Sequence, residues 1–453
     1  MIGAWTLSEL AAPLAARDCR GEAVFTRVST DSRSLQAGDL FVALSGPNFD
    51  GNRFVAQAQA AGAVAAVVSE LQPVDLPQLL VSDTRAALGL LGGFNRARFT
   101  APLVAVTGSS GKTSVKEMLA EILRSRGPVQ ATRGNLNNAI GVPLTLLALA
   151  AEHRFGVIEL GASGPDEIAY TVGLTRPQVA ILTNAGGAHL EGFGSLAGVV
   201  RAKGEIFTGL ADDGVAVING DDPHAEVWLA QRQGKRSLTF SLTAAQADLF
   251  ASDLACAADG CYRFVLHCQG ERVAVTLRVI GRHAVANGLA AAAAAHALGL
   301  SLAEIAAGLV RFSGVPGRLR VRPGRHGARL IDDSYNANPD SVNAAIQVLA
   351  ELPGRRVLVL GNMAELGADS AALHTQLGEQ ARRAGIDQLV AVGSLAALAA
   401  PAFGEGASCF DDCEAAATWL LQGLTEEMVV LVKGSRSSHM EDVVMALIAE
   451  ETA

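Results

Sequence analysis

The sequence predicts an α/β protein of three domains. Its 453 residues are more than one hydrophobic core usually holds. Short apolar runs alternate with helical patterns along most of the chain, as they do in parallel sheets covered by helices. Gly314-Val-Pro-Gly-Arg is a joint between two such stretches. We therefore expect a small N-terminal α/β domain (residues 1–98), a central α/β domain with an added β-hairpin (99–313) and a C-terminal α/β domain (314–453).

Two apolar strands with a helix between them predict the N-terminal domain. The segment Gly38-Asp-Leu-Phe-Val-Ala-Leu-Ser-Gly-Pro has the pattern of a strand that ends in a turn. Residues 53–61 have the pattern of a short helix, and Ala63-Val-Ala-Ala-Val-Val that of the second strand.

The central domain is predicted from near-continuous apolar runs, because strands covered on both faces show no polar alternation. Four such runs are 103–106, 155–160, 179–184 and 215–219. Helices are predicted over 114–123 and over the alanine-rich stretch 284–298. Residues 264–277 have the pattern of two strands joined at Gln269-Gly270, a hairpin added to the sheet.

Four further apolar runs, separated by helical patterns, predict the C-terminal domain. They cover 330–333, 356–361, 389–393 and 429–434. Strands that alternate with helices in this way form a parallel sheet, so we expect a Rossmann-like α/β domain.

Composition bounds the class of protein. Mean hydropathy is +0.29 and 50% of the residues are hydrophobic, but the excess is largely alanine. The longest apolar stretches, 144–151 and 289–295, are far shorter than the ~20 residues that cross a bilayer. The N-terminus, Met1-Ile-Gly-Ala-Trp, lacks the basic region and apolar core of a signal peptide. We therefore expect a cytoplasmic protein that is not inserted in a membrane.

The net charge limits the partners that we expect, and the cysteine content indicates the redox compartment. The formal net charge is −9 and the pI is near 5.5, which argues against nucleic acid or an anionic membrane. The six cysteines form no C-x-x-C pair, so free thiols in a reducing compartment are expected. Five arginines fall within fifteen positions, and taken alone they are typical of a solvated face: Arg311, Arg318, Arg320, Arg322 and Arg325.

A candidate phosphate-binding loop follows the first central strand. Strand 103–106 leads into Thr107-Gly-Ser-Ser-Gly-Lys-Thr and then into a helical pattern. Such a junction directs backbone N–H groups and a helix N-terminus at one spot, which suits a polyphosphate. Lys112 would reach the terminal phosphates and the Thr113 hydroxyl would bind Mg²⁺. The loop is two residues tighter than the common spacing, and the alternative is a Gly/Ser turn with a surface lysine. We expect a P-loop domain that binds ATP or GTP.

Polar residues follow two other central strands, at the edge where ligands gather in open α/β sheets. Glu159 ends one apolar run, and Thr183 and Asn184 end the next, with His189 five residues on. A single strand-end glutamate is often a surface residue, but three polar strand ends together, the phosphate loop among them, indicate a site. Glu159 and His189 both suit Mg²⁺ there, although histidine is an uncommon magnesium ligand.

Three further loops are rich in hydrogen-bonding groups. Gly134-Asn-Leu-Asn-Asn-Ala-Ile-Gly-Val-Pro is predicted to join two central helices; it would hold a substrate or the γ-phosphate, or cap the next helix. Asp332-Asp-Ser-Tyr-Asn-Ala-Asn-Pro and Lys433-Gly-Ser-Arg-Ser-Ser-His follow C-terminal strands. Turn chemistry alone is the alternative for both. A polar loop that closes over a nucleotide would exclude water from a reactive intermediate.

These motifs, in chain order, resemble those of the Mur ligases over nearly the whole length. The resemblance is carried by the phosphate loop, the Gly134–Pro143 segment, Glu159-Leu-Gly-Ala, Ala188-His-Leu-Glu-Gly-Phe-Gly-Ser, Ala202-Lys-Gly-Glu-Ile-Phe, Pro316-Gly-Arg, Asp332-Asp-Ser-Tyr-Asn-Ala-Asn, Met363-Ala-Glu-Leu-Gly and Leu431-Val-Lys-Gly-Ser-Arg. Three of these motifs (His-Leu-Glu-Gly-Phe-Gly-Ser, Asp-Ser-Tyr-Asn-Ala-Asn and Met-Ala-Glu-Leu-Gly) resemble the member that adds a dipeptide.

The resemblance implies a step in making peptidoglycan precursors. An ATP-dependent, ADP-forming ligase would join D-alanyl-D-alanine to UDP-N-acetylmuramoyl-tripeptide through an acyl phosphate. It would act as a cytoplasmic monomer, and lysine or diaminopimelate would stand at the third peptide position. The alternatives are a sibling ligase or folylpolyglutamate synthase that adds one amino acid, or a non-catalytic nucleotide-binding protein.

The resemblance also implies residue roles at the nucleotide. Lys112 and the backbone of the loop would hold phosphate, a set made of Thr107, Gly108, Ser109, Ser110, Gly111 and Thr113. Thr113 and Glu159 would hold one Mg²⁺. His189 and Lys203, the latter as a carbamate made with CO₂, would help to hold a second; without the resemblance Lys203 is an ordinary helix lysine. Asn287 would contact adenine, and Arg318 and Asp333 the phosphates and ribose.

Substrate contacts are implied for three groups of residues. The UDP end would be held by Ser32, Arg33, Gly46, Asn48, Asp50 and Asn52. Central and C-terminal contacts would come from Asn135, Asn137, Asn138, Tyr335, Asn336, Asn338, Lys433, Ser435 and Arg436. Three positions depart from the family pattern: Asn52 stands in place of a frequent His, Asn362 in place of a frequent Asp, and Ser163-Gly-Pro-Asp in place of a frequent Asn-His turn.

Overall fold

Strands and helices alternate through three units, each built around its own sheet. The computed structural model describes residues 1–46, 49–187 and 190–449. The three-unit α/β fold predicted from the sequence is confirmed. Within the described residues, no helix combines the length and the apolar character needed to cross a membrane.

The N-terminal unit contains a five-stranded sheet. Its strands lie in the order Asp18–Arg20, Gln78–Leu80, Ala65–Val68, Asp39–Val42 and Arg27–Ser29, and only the first pair is antiparallel. Two strand pairs stand beside it, Trp5–Thr6 with Val24–Phe25 and Ser45–Gly46 with Phe49–Asp50. The helices are Leu7–Ala11, Val55–Ala60 and Thr84–Arg98, with a 3₁₀ turn at Gly51–Phe54. The predicted helix over 53–61 thus begins as a 3₁₀ turn.

The central unit has a nine-stranded sheet. The order is Val129–Ala131, Phe155–Glu159, Leu103–Thr107, Val179–Leu182, Val215–Asn219, Arg236–Ser241, Leu249–Cys256, Cys261–Cys268 and Glu271–Ile280. Only the last two pairings are antiparallel. Helices cover Lys112–Leu123, Gly141–Leu147, Glu167–Thr175, Leu190–Phe193, Leu196–Gly204, Ala225–Gln231, Arg282–Ala297 and Leu302–Arg311, and 3₁₀ turns cover Arg124–Arg126 and Glu205–Gly209.

The predicted hairpin exists, and it continues the central sheet. Its turn lies at Gln269-Gly270, where both residues have positive φ (49° and 84°). Two strands that the sequence analysis did not predict, Arg236–Ser241 and Leu249–Cys256, connect the hairpin to the parallel strands. The Gly134–Pro143 segment follows the strand Val129–Ala131, so the expectation that it joins two helices is wrong.

The C-terminal unit has six strands. Their order is Arg320–Pro323, Arg329–Asp333, Met428–Lys433, Arg355–Gly361, Gln388–Val392 and Ala407–Phe410, with only the first pair antiparallel. The helices are Pro339–Ala350, Ser370–Arg383, Ala400–Phe403, Cys413–Gly423 and Glu441–Leu447, with 3₁₀ turns at Arg325–Gly327, Gly367–Asp369, Ala396–Ala399 and Arg436–Ser438. The four predicted strands are present, and the two edge strands were not predicted.

The central sheet separates two hydrophobic cores. Val104 and Val106 face one core with the helices Lys112–Leu123 and Arg282–Ala297, while Leu103 and Ala105 face the other. Successive side chains of a strand point to opposite faces, so an uninterrupted apolar run fills both cores at once. This arrangement buries the parallel strands on both faces, so polar residues occur at their carboxyl ends, where the candidate site lies.

The last helix of the N-terminal unit is anchored to the central unit by two buried polar side chains. Asn95 Nδ2 donates to Leu146 O (2.8 Å) and Leu149 O (2.9 Å), at the end of the helix Gly141–Leu147. Arg96 donates to Thr175 O (2.6 Å) and Arg176 O (2.9 Å), where the helix Glu167–Thr175 ends. The last carbonyls of a helix have no partner within it, and they carry partial negative charge. The two side chains therefore cap two central helices and join the units.

We expect Arg96→Ala to lower the melting temperature by about 5 °C or more. The variant leaves buried carbonyls without donors and removes a cation from a helix C-terminus. Differential scanning fluorimetry measures the shift. Arg85→Ala is the matched control, because Arg85 lies on the same helix and is exposed. Equal melting temperatures for the two variants would contradict the anchoring role of Arg96.

Candidate active site

The phosphate loop connects the strand Leu103–Thr107 to the helix Lys112–Leu123. Gly111 precedes the helix with φ +82°, a left-handed conformation that favours glycine. A Cβ atom at Gly111 would stand 2.5 Å from Asn287 Oδ1, so glycine also lets Asn287 lie against the loop. Asn287 lies on the helix Arg282–Ala297 and was expected to contact the nucleotide. Its side chain is thus beside the phosphate loop.

Residues after the neighbouring strand hold the loop in shape. Ser109 N donates to Asn184 O (3.0 Å), and Ser110 N donates to Asn184 Oδ1 (2.9 Å). Thr183 Oγ1 donates to Ser110 O (2.7 Å). The amides of Ser109 and Ser110, expected to hold phosphate, are thus bonded to Asn184. The first-turn N–H groups of the following helix lack partners within the helix and are the donors that can face a phosphate.

Lys112 folds back over the loop. Its Nζ donates to Gly108 O (2.6 Å) and to Ser109 O (3.3 Å), so the charge stands at the N-terminus of its own helix. Burial lowers the pKa of Lys112; the carboxylate of Glu159 raises it and the guanidinium of Arg318 lowers it. A phosphate at this point would meet the lysine directly.

Glu159 stands at the end of the adjacent strand and is 2% exposed. Its Oε2 accepts a hydrogen bond from Thr113 Oγ1 (2.9 Å), and its Oε1 accepts one from Asn137 Nδ2 (2.9 Å). A hydroxyl and a carboxylate at hydrogen-bond distance offer the hard oxygen donors that Mg²⁺ prefers. The donor chemistry of Thr113 and Glu159 therefore fits the expected magnesium site.

The Asn-rich loop divides into residues with different contacts. Asn137 reaches Glu159, while Asn138 Oδ1 accepts from Ile140 N (3.1 Å) and Gly141 N (2.9 Å) and so caps the following helix. Asn135 is exposed. The helix cap is therefore realised at Asn138, and contact of this loop with a substrate or the γ-phosphate stays a prediction.

Lys203 is buried, with 2% of its surface exposed, on the helix Leu196–Gly204. Its Nζ lies 3.4 Å from Ala162 O and 5.1 Å from the centre of the Phe193 ring. Burial, followed by the charge of Lys112, lowers the pKa of Lys203 to about 7. Lys203 is not the exposed helix lysine that its local sequence suggests, and a large part of it is uncharged at neutral pH.

The C-terminal unit contributes a buried ion pair. Lys433 Nζ donates to Asp333 Oδ2 (2.6 Å) and to Asn336 O (2.9 Å). Asp333 Oδ1 also accepts from Leu319 N (3.1 Å). Burial raises the pKa of Asp333 and Lys433 opposes that shift. The strand ends Asp333 and Lys433 thus form one cluster.

Tyr335 lies under two arginines. The Arg318 guanidinium stands 4.3 Å from the centre of the tyrosine ring, and that of Arg436 stands 5.9 Å away. Arg436 also pairs with Glu441 (3.0 Å). Among the Arg311–Arg325 cluster, Arg318 is thus drawn into the site, whereas Arg311 pairs with Glu121 (2.9 Å) on the surface.

Turn chemistry accounts for the other polar residues of these loops. Asn338 caps the helix Pro339–Ala350 through a capping box with Ser341. Asn336 Oδ1 accepts from Ala337 N (2.9 Å), and the Ser435 hydroxyl lies 3.1 Å from those of Ser437 and Ser438. These contacts shape the loops; any contact of these residues with substrate stays a prediction.

The C-terminal unit meets the central one beside the phosphate loop. Gly187 N donates to Asp340 Oδ2 (2.9 Å), and the preceding Gly186 N donates to Ser109 Oγ (2.9 Å).

Burial, followed by the charge of Lys433, lowers the pKa of His283 to about 4. Sequence reasoning missed Asp340 and His283. The signal for His283 was its position four residues before Asn287, on the same helix face.

The predicted substrate residues that the structure describes in the N-terminal unit follow two neighbouring parallel strands along the chain, Arg27–Ser29 and Asp39–Val42. Hydrogen bonds from Arg33, first from its side chain (Nη2 to Asp31 Oδ2, 2.8 Å) and then from its backbone, lower the pKa of Asp31 to about 2. Gly46 and Asp50 belong to the short strand pair, and Ser32 is half-buried. Asn48 and His189 lie outside the described residues.

The three departures from the family pattern have local partners. Asn52, 6% exposed, donates to Asp50 Oδ1 and Ser69 Oγ (both 2.9 Å). The side-chain oxygen of Asn362 accepts from Leu395 N (3.1 Å) and Ala396 N (2.9 Å), and an aspartate would make the same two bonds. In the 163–166 turn, Ser163 N donates to Glu167 Oε2 (3.1 Å).

The chain matches three family models in order along its length. The Mur ligase family, catalytic domain, matches residues 24–96, the Mur ligase middle domain matches 106–295, and the Mur ligase, glutamate ligase domain, matches 317–436. The UDP-N-acetylmuramoyl-tripeptide–D-alanyl-D-alanine ligase of Escherichia coli (strain K12) is 48% identical over 444 residues, 98% of each chain. This chain belongs to the Mur ligase family.

Solved Mur ligase structures have the same fold. A crystal structure of MurF from Acinetobacter baumannii superposes with a TM-score of 0.92 at 37% identity and covers 98% of both chains. A MurF ligase from Thermotoga maritima in complex with ADP has a TM-score of 0.84 at 30% identity, covering 93% of this chain and 96% of that one. The resemblance to Mur ligases seen in the sequence is thereby confirmed.

Proposed function

We propose that this Mur ligase joins D-alanyl-D-alanine to UDP-N-acetylmuramoyl-tripeptide with ATP and forms ADP, as a cytoplasmic monomer. The identity of 48% over 98% of both chains with the Escherichia coli ligase of that name is the observation that carries the proposal. The site supports it, because a phosphate loop, a buried carboxylate and a lysine with a pKa of about 7 occur together.

The reaction that fits this site has two steps. The terminal carboxylate of the tripeptide attacks the γ-phosphorus of ATP, the bond to the β-phosphate oxygen breaks, and an acyl phosphate and ADP form. The neutral amine of the dipeptide then attacks the acyl carbon and phosphate leaves, taking up the proton that the amine loses. A carboxylate oxygen is a poor leaving group until it becomes a phosphate, and cations must offset the repulsion between anionic reactants.

Cations of the chain would offset this repulsion. Lys112 would hold the terminal phosphates together with Arg318, whose charge lowers the pKa of Lys112. Tyr335 would hold Arg318 in place through its ring face. Asn287, Asp333 and Lys433 would bind the rest of the nucleotide or the incoming dipeptide, and the loops at 32–33 and 46–52 would hold the UDP end.

Thr113 and Glu159 would hold a magnesium ion, and His189 and Lys203 would help to hold a second. Bound magnesium neutralises phosphate charge and favours attack by an anion. Within residues 1–46, 49–187 and 190–449, no three His, Cys, Asp or Glu side chains gather as a metal site. A second ion would therefore need a further anionic ligand besides Glu159 and the phosphates.

Lys203 would supply that ligand as a carbamate. A neutral amine attacks the carbon of CO₂ and loses a proton, which converts a cation into an anion. A free lysine is almost wholly protonated at neutral pH, whereas a pKa of about 7 leaves a large neutral fraction. The burial that lowers this pKa thus supports carbamylation at Lys203.

The decisive experiment measures ADP release by the purified protein with each substrate omitted in turn. We expect ADP only when ATP, UDP-N-acetylmuramoyl-tripeptide and D-alanyl-D-alanine are all present, and a product whose mass equals the pentapeptide. Single amino acids such as D-glutamate or L-glutamate serve as acceptor controls. Turnover with these in place of the dipeptide would assign the chain to a sibling activity, and nucleotide binding without turnover would exclude a ligase.

A further inference from the structure

We propose that Lys116 is a positioning residue: it fixes the loop at 132–138 so that Asn137 holds Glu159 in its metal-binding orientation. The inference rests on the proposed function, because it concerns the residue expected to hold magnesium. It assigns a task to a buried lysine that the reaction scheme does not use.

Lys116 is a charged side chain in the interior, with 1% of its surface exposed. It lies on the helix Lys112–Leu123, one turn after Lys112 and Thr113. Its Nζ pairs with Glu117 (2.8 Å), which is itself 32% exposed. Burial of an ammonium costs free energy that an apolar side chain of the same length would not. The lysine is therefore better explained by what it binds than by packing.

What it binds is the end of the edge strand Val129–Ala131. Lys116 Nζ donates to Thr132 O at 2.5 Å. Thr132 is held from two further directions, since its N donates to Val157 O (3.1 Å) and its Oγ1 accepts from Glu159 N (2.9 Å). Lys116 thus ties the helix that carries Thr113 to the first residue of the loop, and Thr132 ties that residue to the backbone of Glu159.

The other end of the loop returns to the same carboxylate. Asn137 O accepts from Gly161 N (2.8 Å), and Asn137 Nδ2 donates to Glu159 Oε1 (2.9 Å). A Cβ atom at Gly161 would stand 2.9 Å from Asn137 Cγ, so the loop packs closely on the strand end. The loop is therefore fixed at Thr132 and at Asn137, and Lys116 is the side-chain donor at the first of these points.

This arrangement determines which oxygen of Glu159 faces the phosphate loop. Asn137 occupies Oε1, which leaves Oε2 toward Thr113. Partners behind a metal ligand orient it, and their loss commonly costs 10-fold to 100-fold in metal affinity or activity, by order of magnitude. Release of the loop should therefore weaken the effect of magnesium before it weakens nucleotide binding itself.

The test compares Lys116→Met with Glu117→Gln in the full-length protein. The first variant keeps an unbranched apolar side chain as far as the ε position and loses the donor to Thr132; the second removes the ion-pair partner and keeps that donor. Hydrogen–deuterium exchange reports on the loop at 132–141. Calorimetric titration with ADP, with and without Mg²⁺, gives the factor by which the ion tightens binding, and steady-state kinetics separate kcat from KM.

For Lys116→Met we expect faster exchange across the loop, an Mg²⁺ effect on ADP binding reduced by about tenfold, and a lower kcat with little change in the KM for ATP. Glu117→Gln should match the wild type. Asn137→Ala should give the same loss of the Mg²⁺ effect, and the double variant with Lys116→Met should be no worse than either alone, because both act through one contact.

Wild-type exchange and a wild-type Mg²⁺ effect in a folded Lys116→Met protein would overturn the inference. If that variant does not fold, Lys116→Gln replaces it, since its side chain carries no charge and ends one atom short of the ammonium nitrogen that donates to Thr132 O, with the same expected results. The exchange and ADP readouts need no acceptor peptide. A wild-type protein that fails to ligate would therefore contradict the proposed function. Hydrogen–deuterium exchange and ADP binding would still test whether Lys116 positions the loop.

Discussion

Lys112→Ala should abolish ligation, with kcat lower by about a thousandfold or more. The lysine is the charged group over the phosphate loop, and its Nζ already lies 2.6 Å from Gly108 O. The charge that develops on the transferring phosphoryl group would lose its direct cation, and no other side chain of the loop carries one. Steady-state ADP release with saturating substrates measures the effect.

Lys235→Ala is the control for this variant. Lys235 also belongs to the central unit and pairs with Asp212 (2.7 Å), whose side chain is fully exposed. A surface pair of that kind contributes little, so activity should stay near the wild-type level. A near-wild-type kcat in Lys112→Ala would contradict the assignment of this loop as the phosphate-binding site. It would also contradict the proposed role of the helix N-terminus.

Lys203→Ala should lower turnover by about a thousandfold, and acetate should restore part of it. Truncation leaves a buried space where the side chain stood, and a small carboxylate can enter it and replace the carbamate oxygens. Arg201→Ala is the control, because Arg201 is exposed on the same helix. Chloride at equal ionic strength controls for salt. A Lys203→Ala protein that works normally without acetate would exclude the carbamate.

The pKa of Lys203 gives this assignment a pH dependence. Below a pKa of about 7 the amine is protonated and cannot attack CO₂; above it the amine is neutral. Protein depleted of CO₂ should therefore regain activity on addition of bicarbonate more completely at about pH 8.5 than at about pH 6. Magnetic resonance with isotope-labelled bicarbonate should show a carbamate carbon in the wild type and none in Lys203→Ala.

The parallel strands were predictable because both of their faces are buried, and such strands show up in the sequence as runs of consecutive apolar residues. The runs at 103–106, 155–160 and 215–219 fill two cores at once, so their residues are apolar except for Glu159 and Asn219 near the strand ends. Arg236–Ser241 and Leu249–Cys256 mix polar and apolar residues, so neither shows the continuous apolar run of the other parallel strands, and their pairing with neighbouring strands is not visible in the local pattern. Val129–Ala131 was missed because three residues carry no periodic signal.

The candidate site was predictable in its motifs and less so in its contacts. The phosphate loop and Glu159 are visible as strand ends, whereas Lys116 and Lys203 look like solvated helix lysines until tertiary packing buries them. The cap made by Asn138 and the contact made by Asn137 differ although the two residues are adjacent and identical in type. Which one faces Glu159 depends on where the loop crosses the sheet.

The caps made by Asn95 and Arg96 have a consequence for substrate length. They join the N-terminal and central units through buried hydrogen bonds, so packing between the units helps to set the span from the proposed UDP-binding residues to the phosphate loop. A peptide stem one residue shorter or longer would misplace its reacting carboxylate by about 3.5 Å. Under the proposed function the two units therefore act as a molecular ruler, which selects a tripeptide over a dipeptide or tetrapeptide without reading each residue.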